Sequence, residues 1–206
     1  MEEKNYLRDI HEIKDLMNRS SQFISLSGLS GILAGIYALA GAYVTKNLLD
    51  IRHDVLGEEY VILESATFKW ILFTALVVLA LSVGTAFVLT YQKAKKQGEK
   101  VWNSTSKRLA INFLIPLFTG GIFAVLLLKN GTYGLIAPVT LIFYGLACVN
   151  ASKYTLRDVR YLGITLVILG LIATEFSGYG LEFWALGFGV CHIIYGCIMY
   201  YKYDRD

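Results

Sequence analysis

The sequence predicts an all-α, polytopic membrane helix bundle: six transmembrane helices behind an amphipathic N-terminal helix. Three observations predict it. Hydrophobic residues make up 55% of the 206-residue chain and charged residues only 17%, against roughly 25% charged in an ordinary soluble domain. The apolar residues fall in six continuous runs and do not alternate with period two, which favours helices over strands. The charges are confined to short islands between those runs, and Lys and Arg collect in alternate islands. A disordered chain, a coiled coil and a charged surface domain are excluded by the same figures.

Residues 1–22 come first. Tyr6, Ile10, Ile13 and Met17, with Leu7 and Leu16 beside them, make one apolar stripe at helical spacing. Four basic and five acidic side chains nearly balance there, whereas a helix that binds anionic lipid is usually richer in Lys and Arg. An amphipathic cytoplasmic helix is expected, lying at the interface or against the cytoplasmic loops, with docking to a partner protein as the sharper alternative. No signal peptide is expected ahead of the first span, because the extreme N-terminus carries no positive cluster.

A bilayer core about 30 Å thick needs about 20 apolar residues per helical crossing. The six runs are Phe23–Thr45, Ala66–Tyr91, Leu109–Leu128, Tyr133–Val149, Tyr161–Thr174 and Leu181–Tyr201, and together residues 23–206 form the transmembrane domain. Ser27, Gly31, Gly35 and Ala38 form a small-residue stripe on the first span, including a GxxxG. Such stripes let helix backbones approach closely. Packing inside the same bundle is favoured over a homodimer, although an oligomer through the first span is allowed. In the sixth span Ala185, Gly189, His192 and Gly196 are expected to share a face, as are Gly163, Gly170 and Thr174 in the fifth.

Between the first two spans, Leu48, Leu49, Ile51, Val55 and Leu56 are compatible with a short amphipathic surface helix. The next loop carries Lys93, Lys95, Lys96, Lys100, Lys107 and Arg108 against Glu99 alone. These cations favour anionic lipid headgroups by about 1 kcal/mol each near a membrane surface, though a purely topogenic role explains them as well. Trp102 is placed to anchor this loop at headgroup level.

Fifteen Lys and Arg lie on the side of the N-terminus, that loop, the fourth loop (Lys153, Arg157, Arg160) and the C-terminus (Lys202, Arg205). Only Lys46, Arg52 and Lys129 lie opposite. The positive-inside rule then places both termini in the cytoplasm, and the net charge of +3 needs no nucleic-acid partner. The outer side is left acidic at Asp50, Asp54, Glu58, Glu59, Glu64, Glu175 and Glu182. A solvated face explains this better than a cation site. The three cysteines, Cys148, Cys191 and Cys197, all lie within spans, so no disulfide framework is expected.

No catalytic fingerprint, metal motif or nucleotide loop is present, and no Asp or Glu lies mid-span, where ion-coupled carriers place them. No enzyme activity, cofactor or metal is expected. Two features inside the membrane still hold candidates. Pro116 cannot bond back to the Asn112 carbonyl, so Asn112, Pro116 and Thr119 present polar atoms on one side of the third span. His192 is the one ionisable side chain deep in a span, which makes it a functional candidate, although a neutral, hydrogen-bonded imidazole is the commoner outcome. With Tyr144 these residues form the candidate ligand-binding set.

Tyr133-Gly134-Leu135 and Tyr179-Gly180-Leu181, followed by Tyr144-Gly145 and Tyr195-Gly196, make spans three to four and five to six look like tandem hairpins. The runs Phe23-Ile24-Ser25-Leu26-Ser27-Gly28-Leu29-Ser30-Gly31 and Val149-Asn150-Ala151-Ser152-Lys153-Tyr154-Thr155-Leu156-Arg157 resemble a family of small bacterial inner-membrane proteins with no assigned activity. That resemblance implies a bacterial inner-membrane setting and no site residues. The expected function is a non-enzymatic membrane protein with a regulatory or assembly role, acting through the N-terminal helix and the basic loop on membrane lipids and a cytoplasmic protein. The alternative is a small carrier or intramembrane binding protein for an apolar or weakly polar molecule. An enzyme of membrane lipids or a haem protein is the third and least favoured reading.

Overall fold

The computed structural model describes residues 26–53, 59–62, 65–98, 101–176 and 178–205. The expected amphipathic helix over 1–22 and the side chain of Lys100 lie outside them. Among the described residues six long helices make a bundle. They are α1 (Gly28–Leu48), α2 (Ser65–Lys96), α3 (Ser104–Lys129), α4 (Ile136–Ala151), α5 (Asp158–Glu175) and α6 (Gly180–Asp204). Helices α1, α2, α3 and α6, and α4 counted from Tyr133, are long and apolar enough to cross a membrane. The eighteen-residue α5 carries Asp158, Arg160 and Glu175 near its ends, leaving an apolar stretch of about 21 Å at 1.5 Å per residue.

The first helix starts at Gly28, five residues later than the apolar run, because Ser27 is extended (φ −95°, ψ 127°) and acts as its N-cap. Asn103 caps α3 in a reciprocal box: its side chain accepts from the Ser106 N–H, and the Ser106 hydroxyl accepts from the Asn103 N–H, both at 2.8 Å. The same helix ends in a Schellman turn. The N–H groups of Gly131 and Thr132 bond to the Leu128 and Leu127 carbonyls, and Gly131 takes φ +72°, where a side chain is disfavoured.

The first loop differs from expectation. Asp50–His53 (β1) and Glu59–Ile62 (β2) pair antiparallel, with Ile51 opposite Val61 and Arg52 opposite Tyr60. The apolar spacing there fits helix and strand alike, and the β-branched and aromatic Ile51, Tyr60, Val61 and Ile62 decide for the strand.

Helix α2 packs on α1, α1 on α6, α6 on both α4 and α5, and α3 on α4. One core joins Leu141, Leu162 and Leu166; a second joins Cys148, Leu156, Val159 and Met199; Tyr144 and Tyr195 reach both. Glycines bring the backbones together. A Cβ on Gly35 would stand 2.6 Å from the Gly189 carbonyl, and one on Gly31 3.2 Å from the Gly196 Cα. The stripe of α1 therefore faces α6 of the same chain, with Ala38 buried in line with it. Gly145 and Gly163 stand in the same relation across α4 and α5, each Cβ position 2.6 Å from the other's carbonyl.

The last helix is not uniform. Gly180–Trp184 and His192–Met199 are α-helical, while Ala185–Cys191 and Tyr200–Asp204 are π-helical. A wider turn changes the angle between successive side chains. As a result Gly189 and Gly196 face α1, while His192 turns to α4, and the shared face expected of them does not form. In α5, Gly163 and Gly170 face α4, but Thr174 is exposed and its hydroxyl bonds back to the Leu171 carbonyl.

The outward surface is apolar. On α2 only Ala94 is buried among the described side chains, and Phe73, Leu76, Leu79, Val83 and Phe87 are all exposed. On α3 the exposed set includes Ile115, Phe118 and Ile122.

Candidate functional site

The five candidate binding residues fall in two places. Tyr144 and His192 meet inside the bundle. His192 is 6% exposed. Its Nδ1 lies 3.0 Å from the Gly187 carbonyl oxygen, one wide turn earlier, and its Nε2 lies 3.1 Å from the Tyr144 hydroxyl. A carbonyl only accepts, so Nδ1 carries the proton and Nε2 accepts from the Tyr144 O–H. Phe188 stacks on the imidazole at 21°, and Phe113 meets Tyr144 edge-on. Both ring nitrogens are thus engaged. The arrangement ties α4 to α6. Replacing Tyr144 by Phe keeps the ring and removes the donor. We expect it to cost about 1 kcal/mol, the scale of interhelical hydrogen bonds in membrane bundles. Equilibrium unfolding in micelles checks this.

Asn112, Pro116 and Thr119 lie on the other side of α4. The carbonyl that Pro116 leaves free, that of Asn112, accepts the Asn150 Nδ2 at 3.2 Å. The Asn112 side chain and the Thr119 hydroxyl bond back to the Arg108 and Ile115 carbonyls in their own helix. An open groove of about 290 Å³ runs here between α3 and α4, with Pro116 and Thr119 on one wall and Phe143, Leu146, Val149, Asn150 and Lys153 on the other. Asn150 and Lys153 are the residues of this site that sequence reasoning missed. A polar Asn150 closing an otherwise apolar run was the available signal.

A third cluster lies where α1 begins and α2 and α6 end. The Lys93 ammonium stands 2.5 Å from Asp204 and donates to the Leu26 carbonyl at 3.0 Å. The other Asp204 oxygen accepts from the Gly28 N–H at 2.7 Å and from the Ser27 hydroxyl at 3.2 Å. A carboxylate from the far end of the chain therefore caps α1, where an anion is favoured. Lys93 is withdrawn by this contact from the set expected to meet headgroups. Of the others, Lys95, Lys96, Lys107 and Arg108 stay exposed, and Lys107 sits over the Trp102 ring at 5.8 Å.

Next to Asp204 the same tail grips α5. Lys202 Nζ and the Tyr203 hydroxyl donate to Asp158 at 2.9 and 2.8 Å. Burial pushes the Asp158 carboxyl up, but these two donors, with Lys202 and Arg157 as nearby charges, outweigh it and hold it below its ordinary value. Its contribution to stability is whole above the unfolded-chain value of about 3.9 and is lost as pH falls through the lower folded value. The difference in unfolding temperature between wild type and Asp158→Asn should stay constant from about pH 8 to 5 and close below about pH 4. A gap that narrows between pH 8 and 6 would contradict this linkage.

Among the described residues no group of three or more His, Cys, Asp or Glu is placed to hold a metal ion, and all three cysteines are free thiols. No protein-family model matches the sequence, and no curated protein or solved structure matches it either.

Proposed function

We propose that this chain is an integral membrane protein that crosses a bacterial inner membrane six times, with both termini in the cytoplasm. It acts without chemistry of its own, in a regulatory or assembly role. The exposed apolar side chains of α2 and α3 support insertion, since they form a far larger apolar surface than water tolerates on a monomer. The α5 helix completes the sixth crossing through its tight pairing with α4, which supplies the contacts that its short apolar stretch cannot make with lipid.

One observation carries the regulatory reading: the Lys93–Asp204–Ser27 cluster. It gathers the start of α1 and the end of α2 at a single point. A cytoplasmic partner that docks at this point meets the start of α1 and the end of α2 together. Affinity capture with the full chain and with a chain lacking residues 1–20 tests this. A partner lost on truncation supports it, and an unchanged set of partners sinks it. A reporter fused after Arg205 should be active in the cytoplasm.

The α3–α4 groove favours a second reading, a binding protein for an apolar or weakly polar molecule.

A further inference from the structure

We infer that the α3–α4 groove seats one anionic phospholipid, with its headgroup at Lys153 and one acyl chain against Leu146 and Phe143. The inference rests on the membrane reading above and names the ligand of the second one.

Phe143, Leu146 and Asn150 follow one another at intervals of three and four residues, which sets them in one stripe along α4, and Lys153 follows in the turn just past its end. From Phe143 to the end of α4 at Ala151 the helix spans about 12 Å, and Lys153 beyond it brings the stripe to about half the thickness of a bilayer core. The stripe is therefore as long as one leaflet. It is apolar at one end and cationic at the other, the order in which a phospholipid presents its own parts. Pro116 and Thr119 supply the opposite wall, and the groove is open, with Leu146 exposed in it.

Charge decides the headgroup. No carboxylate lines the groove. The Asn150 amide is held by the Asn112 carbonyl, and Lys153 makes a long 3.4 Å contact with Asn150 Oδ1. The ammonium keeps donors for a phosphate. Arg108, two turns before Pro116 on α3, and Arg157 are exposed at the same end of the bundle.

The test uses the full chain in micelles doped with phosphatidylglycerol or phosphatidylcholine, with retained lipid counted by native mass spectrometry. One phosphatidylglycerol per chain should survive and phosphatidylcholine should not. Lys153→Ala should lower retention about fivefold, the scale of one interfacial cation. Leu146→Trp fills the groove from a position that is 43% exposed, so the fold tolerates it, and it should abolish retention. Lys129→Ala, at the opposite end, should change nothing. Phosphatidylglycerol kept at wild-type occupancy by Leu146→Trp, or phosphatidylcholine held as well as phosphatidylglycerol, overturns the inference. A chain stripped from membranes by alkaline carbonate overturns the membrane reading instead, and the lipid seat with it.

Discussion

Asp204→Ala should destabilise the bundle by about 3 kcal/mol, the lower end of what breaking a buried ion pair costs. Asp204 and Lys93 side chains are only 9% and 14% exposed. Removing the carboxylate strands the ammonium and also leaves the Gly28 N–H without its acceptor. The attraction between the two charges is the smaller part of the effect, because their desolvation largely offsets it. The double variant Lys93→Met/Asp204→Ala should therefore be more stable than Asp204→Ala alone, since no unpaired charge remains. Asp204→Asn separates the two contributions: it retains an oxygen for Ser27 and Gly28 and loses the charge. Equilibrium unfolding in mixed micelles reads all three. A single variant as stable as wild type would show that the cluster holds nothing together.

The second large effect is expected at Gly196. A Cβ there would stand 2.5 Å from the Ile32 nitrogen and 2.7 Å from the Gly28 carbonyl oxygen. Both atoms are backbone, so no rotamer change relieves the overlap, and α1 and α6 must move apart. Gly196→Ala should cost about 3 kcal/mol, the upper range for overpacking. Gly84→Ala is its control. Nothing lies within 4 Å of that Cβ position, and the exchange removes a residue that weakens helices, so it should be neutral or stabilising by up to about 1 kcal/mol. If the two variants unfolded alike, close backbone approach would not be what joins the first helix to the last.

The contrast between these glycines also marks what was legible in the sequence. Among the described residues hydropathy located all six helices, because each coincides with a continuous apolar run. The spacing of Gly31, Gly35 and Ala38 identified a packing face, but that α6 covers it is a tertiary fact with no local signal. Lys93 and Asp204 are 111 residues apart, and each reads locally as one more charge at a membrane surface. In the first loop the spacing of Leu48, Leu49 and Ile51 suits a helix, and pairing with Glu59–Ile62 overrode it. The π-helical turns of α6 left no mark in composition, yet they separate His192 from Gly189 and Gly196. Tyr144 and His192 were each legible as a candidate within an apolar run, but that they meet each other is a tertiary fact. Asn112 and Thr119 were recognisable too, but their side chains spend their hydrogen bonds on their own helix.

The seam between α1 and α6 has a temporal side. The two halves of that seam are 168 positions apart at Gly28 and Gly196, and a ribosome adds roughly 5–20 residues per second. Once made, α1 therefore waits on the order of 10 to 30 s for α6 to follow it. During that wait its glycine flank is bare, with only α2 to lean on. Asp204 ends α6 and accepts from the Gly28 N–H, a contact that no nascent length short of residue 204 can make.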